Sequence, residues 1–256
     1  MADDAGTSLK GRVSAEEWQA RVDCAALYRL VALHGWDDMI FTHISMRVPG
    51  PDHHFLINPY GWYFDEITAS SLVKVDLDGK IVMDTLYNIN PAGFVIHSAV
   101  HAAREDALFV MHTHTPYGVA VSMQKDGLLP MSQQALPPFT TVGYHDYEGL
   151  AVNDDEKKRL VADLGPSNKL LILRNHGLLS VGSIAAEAFH YMYAMEQACR
   201  IQVLAQSTGA ELITVPPPVV DRIMEQVKVV ARGEGSAIIW PGLMRKLDRL
   251  DASFRD

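Results

Sequence analysis

The sequence contains few cysteines and no long apolar run. Only two cysteines, Cys24 and Cys199, occur among its 256 residues. They are far apart and fall within predicted helices, which favours two free buried thiols in a reducing compartment over a disulfide framework. No segment approaches the ~20 consecutive apolar residues that span a bilayer, and the polar residues 1–8 contain no apolar signal core. We therefore expect a cytoplasmic protein that forms one substantial domain and does not contact a membrane.

Positive charge is scarce as well. The chain has 22 lysines and arginines against 31 aspartates and glutamates, a formal net charge of −9. Its longest basic run is Lys157–Arg159. Nucleic acids and anionic membrane surfaces bind clustered lysine and arginine, so the composition argues against both as partners. We expect the partner to be a small-molecule substrate.

Hydrophobic periodicity predicts a sheet that is flanked by helices. The capping-box pattern Ser14–Glu17 precedes apolar residues at helical spacing, so we predict a first helix from Ala15 to His34. Short alternating segments with turn residues between them then predict an antiparallel meander. These segments are 41–48, 54–58, 72–76 and 80–83.

The second half of the sequence alternates predicted helices with short buried strands. Helices are predicted over 94–104, 118–124, 154–164 and 183–207, and strands over 107–111, 170–173 and 178–181. Pro137–Pro138 is expected to break the chain, and Tyr144–Glu148 to form a polar loop. Pro216–Pro218 marks a boundary before a last helix through Val230 and a polar tail. We therefore divide the chain into a flexible N-terminus (1–13), a main domain (14–215) and a C-terminal helix and tail (216–256).

Two histidines at the end of a buried strand are the most informative chemical feature. His112 and His114 follow the apolar run Ala107–Met111, and residues two apart on a strand project from the same face. A third imidazole is available from His176, which follows a second apolar run, Leu170–Leu173. Three such imidazoles can share one metal ion. The alternative is a pair of hydrogen-bonded core histidines with a separate turn histidine, and the spacing by itself leaves both open.

A second pair, His97 and His101, is spaced four residues apart on a predicted helix. This spacing places both side chains on one face and also occurs in metal sites. Because two ion sites in one small domain are less expected than one, we interpret this pair as pocket-lining or supporting residues.

Several segments resemble the class II aldolase/adducin family. Its two hallmark segments are matched by His112–Ser122 and Arg174–Leu178, and further matches are Asn58–Gly61, Thr68–Asp76 and Asn90–Phe94 with His97. The similarity extends from about Ala15 to Ser207, with the segments in the same order, and is greatest to the adducin-like branch.

The resemblance implies a fold, an assembly and a cofactor. It implies an α/β protein with an α/β/α sandwich around a central, largely antiparallel sheet. It also implies a homotetramer whose sites lie between adjacent subunits. Each subunit would hold one divalent metal ion through His112, His114 and His176, with zinc expected first and iron, manganese or cobalt as alternatives.

The chain departs from the sugar-phosphate aldolases of this family at the residue that acts as the base. Their glutamate on the helix before the His-x-His strand matches Gly93 here. In their phosphate pocket, small hydroxyl residues match Pro91 and Ala92, a Gly-Asn turn matches Thr42–His43, and a Thr-Gly pair matches Tyr60–Gly61. Bulky Tyr60 and apolar Pro91 thus remove phosphate-binding hydroxyls. We therefore expect a non-phosphorylated substrate. The space beside Gly93 is expected to be open and to admit a larger substrate.

Several polar residues could take over the role of the missing base. The candidates are His43, His97, Tyr60, Tyr144, His145 and Glu148. Among them we assign the catalytic role to His97, Tyr60 and His145. We expect substrate contacts from Gly61, Gly93, Phe94 and Gln134, the last because the proton-donating tyrosine of the aldolases aligns near it. The loop 144–148 would cap the substrate or remain an exposed polar loop.

Three functions compete. The first is a metal-dependent lyase, of retro-aldol or decarboxylase type, that acts on a hydroxy-carbonyl or hydroxy-acid substrate. The second is an Fe(II)-dependent oxygenase that uses the same three histidines. The third is a non-catalytic oligomeric scaffold, as in adducin. The lyase is the favoured function, and the scaffold is disfavoured because all three histidines are retained and the neck and lysine-rich tail of animal adducins are not in this sequence.

Overall fold

A seven-stranded sheet forms the centre of the computed structural model, which describes residues 8–149, 154–230 and 234–256. Within these residues the strand order is β3-β2-β1-β4-β7-β6-β5. The strands are β1 His43–Arg47, β2 Phe55–Ile57, β3 Val73–Val75, β4 Phe109–Thr113, β5 Val142–His145, β6 Leu170–Leu173 and β7 Gly177–Gly182. All neighbouring strands are antiparallel except β5 and β6, which are parallel.

Helices cover both faces of this sheet. They are α1 Ala15–Leu33, α2 Pro91–Ala103, α3 Pro116–Ser122, α4 Leu136–Phe139, α5 Asp154–Leu164, α6 Ala185–Gln206, α7 Pro217–Val220, α8 Ile223–Val230 and α9 Trp240–Leu250. Short 3-10 helices lie at Phe64–Glu66, Gly235–Ile239 and Ala252–Arg255. No helix in the described part of the chain is both long and apolar enough to cross a membrane.

Two apolar layers confirm the expected α/β/α sandwich. On one face, α2 and α5 pack on the sheet through residues that include Val100, Val110, Leu164, Leu171 and Leu179. On the other face, α1 and α6 pack through residues that include Leu27, Ile44, Met111, Phe189 and Met195. Alternation along β1 and β4 therefore directs one set of side chains towards α2 and the other towards α1 and α6.

Strand register brings the chemically important residues to one edge of the sheet. His43 at the start of β1 pairs with His112 near the end of β4, and His112 also pairs with Leu179 of β7. The turn between β6 and β7 carries His176. Because β5 is parallel to β6, with His145 opposite Leu173, the carboxyl ends of β4, β5 and β6 meet in this region.

Three predictions about secondary structure were wrong. Residues 80–83 do not form a strand, since the pairing there is an isolated bridge between Val75 and Ile81. Tyr144 and His145 belong to β5 rather than to a loop. Pro137 and Pro138 do not break the chain but lie in the first turn of α4, where proline is tolerated because its missing N–H would have no partner within the helix.

The C-terminal segment was wrongly predicted to be a polar tail. It contains α9 and the 3-10 helix Ala252–Arg255, and the Phe254 side chain is fully buried. The backbone carbonyls of Phe254 and Asp256 accept hydrogen bonds from the amides of Ala69 and Ser70. The N-terminal part of the predicted flexible segment, residues 1–7, lies outside the described residues, while the amide of Leu9 donates to Ser70 Oγ. The domain division of the sequence remains a prediction.

We predict that Phe254→Ala lowers the free energy of unfolding by about 3–5 kcal/mol, because it removes a fully buried aromatic ring and leaves a cavity. Urea denaturation would measure the change. Leu250→Ala, at a residue 62% exposed in the preceding helix, is the matched control and should cost less than about 0.5 kcal/mol. Equal effects of the two substitutions would show that the C-terminal segment is not part of the core.

Candidate metal centre

The three predicted metal ligands lie together. His112 belongs to β4, His114 follows the end of that strand, and His176 lies in the turn between β6 and β7. The Nε2 atom of His114 is 2.9 Å from Nε2 of His112 and 3.0 Å from Nε2 of His176. One potential ligand atom from each residue lies within 4.8 Å of the others. The nitrogens therefore converge on one point, as a shared ion would require.

Hydrogen bonds on the far side of two rings define their tautomers. Nδ1–H of His112 donates to the carbonyl of Leu178 at 3.0 Å, because a carbonyl can only accept. Nδ1–H of His114 donates to the Asp38 carboxylate, also at 3.0 Å. With their protons on Nδ1, both rings present an Nε2 lone pair to the other. Two lone pairs at this distance repel unless a proton or a metal ion lies between them, and three converging imidazole nitrogens are a donor set that fits a divalent metal ion.

Burial favours the neutral form of the His112 and His176 imidazoles. It lowers the pKa of His112 well below its usual value, with smaller contributions from His176 and His114. Burial, followed by the proximity of His114, lowers the pKa of His176 to about 4. Neutral imidazole is the form that binds metal. Near neutral pH His112 and His176 therefore do not first have to lose a proton to bind a metal ion.

The tight turn before β7 brings the third histidine to the other two. Asn175 adopts a positive φ of 58°, a conformation that asparagine tolerates better than most residues. Gly177 then allows close approach to β4. A Cβ at this position would clash with the carbonyl oxygen of Thr113 and lie 3.2 Å from Cδ2 of His114. The backbone conformation at Asn175 and the close contact at Gly177 thus explain why these two residue types occur in the turn.

The expectation of open space beside Gly93 was wrong. An ideal Cβ on Gly93 would lie 2.5 Å from Cδ2 and 2.6 Å from Cε1 of His43, and closer still to its Nε2. The imidazole of His43 fills this space. Burial lowers the pKa of His43 to about 4, although the backbone of Phe41 and Thr42 acts in the opposite direction, and neither ring nitrogen makes a well-formed hydrogen bond in the described part of the chain.

His97 and His101 lie behind this ring in a buried polar chain. Ser45 Oγ is 2.6 Å from Nδ1 of His97 and 2.7 Å from Nε2 of His101. Nδ1–H of His101 donates to the carbonyl of Ala107. The His97 ring lies 4.7 Å from that of His43, and its Nε2 is buried without a partner among the described residues. This arrangement agrees with a supporting position for the pair, while a catalytic role for His97 stays a prediction.

The remaining predicted site residues are dispersed. Tyr60, 45% exposed, and Gly61 lie in a turn after β2. Phe94 is buried and stacks on Phe55 in a separate apolar cluster. Gln134 is exposed in a turn before α4. The roles assigned to these four residues stay predictions.

His145 lies beside the three-histidine cluster in a buried acidic environment. Its Nδ1–H donates to Asp163 at 2.7 Å, and its Nε2 is 3.7 Å from Glu156 Oε1. A small cavity of about 10 Å³, roughly the volume of one water molecule, is lined by His145, Glu156 and His176 among others. The exposed ring of Tyr147 also borders it, 6.2 Å from the His176 ring. The catalytic role proposed for His145 is untested.

Sequence patterns missed the residues that hold these histidines in place. Asp38 lies in an irregular segment after α1, Ser45 in β1 and Asp163 near the end of α5. They are 76, 52 and 18 residues from the histidines that they contact. No local motif signals such contacts, because each one arises only when the sheet and its helices assemble.

Comparison with known proteins agrees with this fold. An α/β/α sandwich with three converging imidazoles defines the general class, and residues 22–203 match the family described as the Class II Aldolase and Adducin N-terminal domain. The chain belongs to this family, as its sequence motifs predicted. The match includes all three of the clustered histidines.

Similar proteins span both branches of the family. An aldolase class 2 protein of Caulobacter vibrioides, whose name leaves its activity open, is 59% identical over the full length of both chains. Mouse alpha-adducin is 45% identical over 90% of this chain, which spans 33% of the adducin. A crystal structure of an aldolase II superfamily protein from Pseudomonas syringae has a TM-score of 0.91 at 53% identity, covering 98% of this chain and 100% of that one.

A more distant structure shares only the fold. The L-fuculose 1-phosphate aldolase of Glaciozyma antarctica has a TM-score of 0.80 at 24% identity, over 100% of this chain and 97% of its own. The sheet and its helices are therefore retained at low sequence identity.

We predict that His114→Ala reduces bound metal from one equivalent per subunit to near zero while the protein stays folded, because His114 is within 3.0 Å of both other ligands. Elemental analysis and circular dichroism would measure this. Asp38→Asn should weaken zinc affinity about 10-fold through the loss of charge beside His114, and Asp37→Asn is its control. Full metal content in His114→Ala would contradict the assignment.

We also predict a specific pH dependence of stability from His101. Burial, and then nearby Arg47, lowers its pKa from 6.5 to about 3. Its stabilising contribution is present above pH 6.5 and is lost as the pH falls towards 3, because the unfolded chain binds a proton that the folded chain does not. The loss should be about 1.4 kcal/mol per pH unit. In His101→Gln, urea denaturation between pH 7 and pH 5 should show a correspondingly smaller slope. Equal pH dependence of the unfolding free energy in the wild type and in His101→Gln would contradict this prediction.

Proposed function

We propose that the protein is a divalent-metal-dependent lyase. It would cleave or form a carbon–carbon bond next to a carbonyl or carboxylate, by a retro-aldol or decarboxylation reaction, on a non-phosphorylated hydroxy-carbonyl or hydroxy-acid substrate. The observation that carries this proposal is the convergence of the Nε2 atoms of His112, His114 and His176. Family membership supports the same chemistry.

The protein's own residues would hold the metal ion, orient its ligands and move protons. His112, His114 and His176 would hold zinc, or alternatively iron, manganese or cobalt. When bound, such an ion supplies Lewis-acid stabilisation for negative charge that develops on a substrate oxygen. The hydrogen bonds from His112 to Leu178 and from His114 to Asp38 keep these rings oriented. Protons would be moved by His145, oriented by Asp163, or by the exposed phenol of Tyr60.

The similarity to alpha-adducin supports a second candidate, a non-catalytic oligomeric platform. Under that proposal the three histidines would have a structural role. Removal of the metal would then change the stability or assembly of the protein, and the protein would have no turnover with or without metal. An Fe(II)-dependent oxygenase is distinguished from the lyase by its metal and by its consumption of oxygen.

The test of the lyase proposal starts from protein purified without chelator. We expect about one zinc or other divalent ion per subunit. We also expect turnover of at least one member of a panel of hydroxy-acids and aromatic hydroxy-ketones, measured by the formation of a carbonyl product. His114→Ala is the control and should lose both metal and turnover. Iron content with oxygen uptake would favour the oxygenase, and bound metal without turnover of the panel would favour the platform.

We also propose that the protein is a cytoplasmic homotetramer with active sites at subunit boundaries. Closed homo-oligomers are common among soluble enzymes, and Cys24 and Cys199 are both free and buried, as expected in a reducing compartment. Multi-angle light scattering at micromolar concentration should give four times the chain mass of 28.3 kDa. A monomer would contradict both the tetramer and the shared sites.

A further inference from the structure

The side chain of His43 occupies the space into which a residue at position 93 would project. Each of three ring atoms of His43 lies within 2.6 Å of an ideal Cβ on Gly93. Real Cβ atoms essentially never approach another atom closer than 3.0 Å. Even alanine at position 93 therefore requires the imidazole to move.

The surroundings of His43 leave its ring little room to move. Its backbone is paired with His112 in the sheet, and the side chain is only 5% exposed. The ring centroid is 4.7 Å from that of His97, which is held by Ser45, and 5.4 Å from that of His112. His43 thus lies between the supporting histidines and a candidate metal ligand.

Hydrogen bonding does not explain why an imidazole lies there. Both nitrogens of His43 are buried without a well-formed hydrogen bond among the described residues, and only the adjoining backbone of Phe41 and Thr42 interacts with the ring. A buried polar group without a strong hydrogen bond destabilises the fold. The ring lies against Gly93 on one side and beside His112 on another. This position points to a role at the adjacent candidate site.

We propose that His43 determines the coordination of the metal centre by excluding a side chain from position 93. A glutamate at position 93 would extend roughly 4 Å beyond its Cβ, and the His43 ring that occupies this space has its centroid 5.4 Å from that of His112. With His43 in place, the donor set stays at three imidazoles and lacks a carboxylate. This inference rests on the metal centre of the proposed function.

Exclusion of a carboxylate also determines the class of ligand. Three neutral imidazoles leave the charge of a divalent ion uncompensated and leave coordination positions open. Such a site favours a ligand that supplies two oxygens and negative charge, such as a 2-hydroxy- or 2-oxo-carboxylate. A carboxylate from residue 93 would neutralise part of that charge and compete for the same positions. His43 is therefore a specificity-determining residue for carboxylate substrates.

The steric part is tested by a double-mutant cycle between positions 43 and 93. Gly93→Ala should lower the melting temperature of the wild type but have little effect in a His43→Ala background, where the clash is absent. His43→Ala itself should retain one zinc per subunit, because His43 is not a ligand. Equal destabilisation by Gly93→Ala in both backgrounds would overturn the proposal, as would loss of zinc in His43→Ala. If Gly93→Ala does not fold alone, its folding in the His43→Ala background provides the same test.

The coordination part is tested by zinc affinity, measured by competition with a chelator. His43→Ala/Gly93→Glu should bind zinc at least 10-fold more tightly than His43→Ala, a gain of about 1.4 kcal/mol. His43→Ala/Gly93→Gln, which has the same size without the charge, should not. Equal affinities of the Glu and Gln variants would overturn the proposal. A wild-type protein that binds no zinc would instead refute the proposed metal centre, while the melting-temperature cycle would still report on the clash.

The ligand class is tested with oxalate, a bidentate dianion. Titrated into cobalt-substituted protein and followed by the visible spectrum, oxalate should bind the wild type at least 10-fold more tightly than His43→Ala/Gly93→Glu. The Gln variant should resemble the wild type. Equal oxalate affinity in all three proteins would overturn the inference about carboxylate ligands. This titration requires no knowledge of the natural substrate.

Discussion

The register of β4 with its two neighbours is the constraint on which the candidate site depends. His112 pairs with His43 on one side and with Leu179 on the other. Because side chains alternate between faces, a shift of one residue would direct His112 towards α1 and α6, away from the other imidazoles. The register is fixed by apolar layers on both faces. The packing of the core and the geometry of the site are thus the same property of the sheet.

This register also explains why so many imidazoles are buried on one face. His43 and Ser45 of β1 face the same side as His112, and α2 covers them with His97 and His101. Burial lowers the pKa of each of these four histidines. Where Ser45 and the carbonyl of Ala107 provide partners, the polar groups are satisfied. The unsatisfied nitrogens lie on His43 and His97, nearer the three-histidine cluster, which places the energetic cost next to the site.

Sequence analysis identified the elements whose apolar spacing is long or uninterrupted, such as α1, α5, α6 and the strands β4, β6 and β7. It missed β5, because Gly143 and Tyr144 interrupt any apolar run and the pairing with β6 joins segments about 28 residues apart. The three candidate ligands were found because they follow recognisable strands. The contact of His43 with Gly93 was not found, because this contact depends on how α2 packs against β1. Position 93 was correctly identified as unusual, but the consequence inferred from it, an open space, was wrong.

The pairing of Gly93 with His43 shows how one sheet can support different chemistry. The fold is shared with a sugar-phosphate aldolase at 24% identity, and fold similarity at that level does not determine the reaction. The reaction depends on the side chains that line the site above the sheet. A glycine on α2 and an imidazole on β1 are complementary in volume, so neither can change alone without a clash or a cavity. Because the two positions belong to different elements, such an exchange leaves the strand register unaltered. The surroundings of the candidate metal centre can therefore change while the arrangement of its three histidines remains the same.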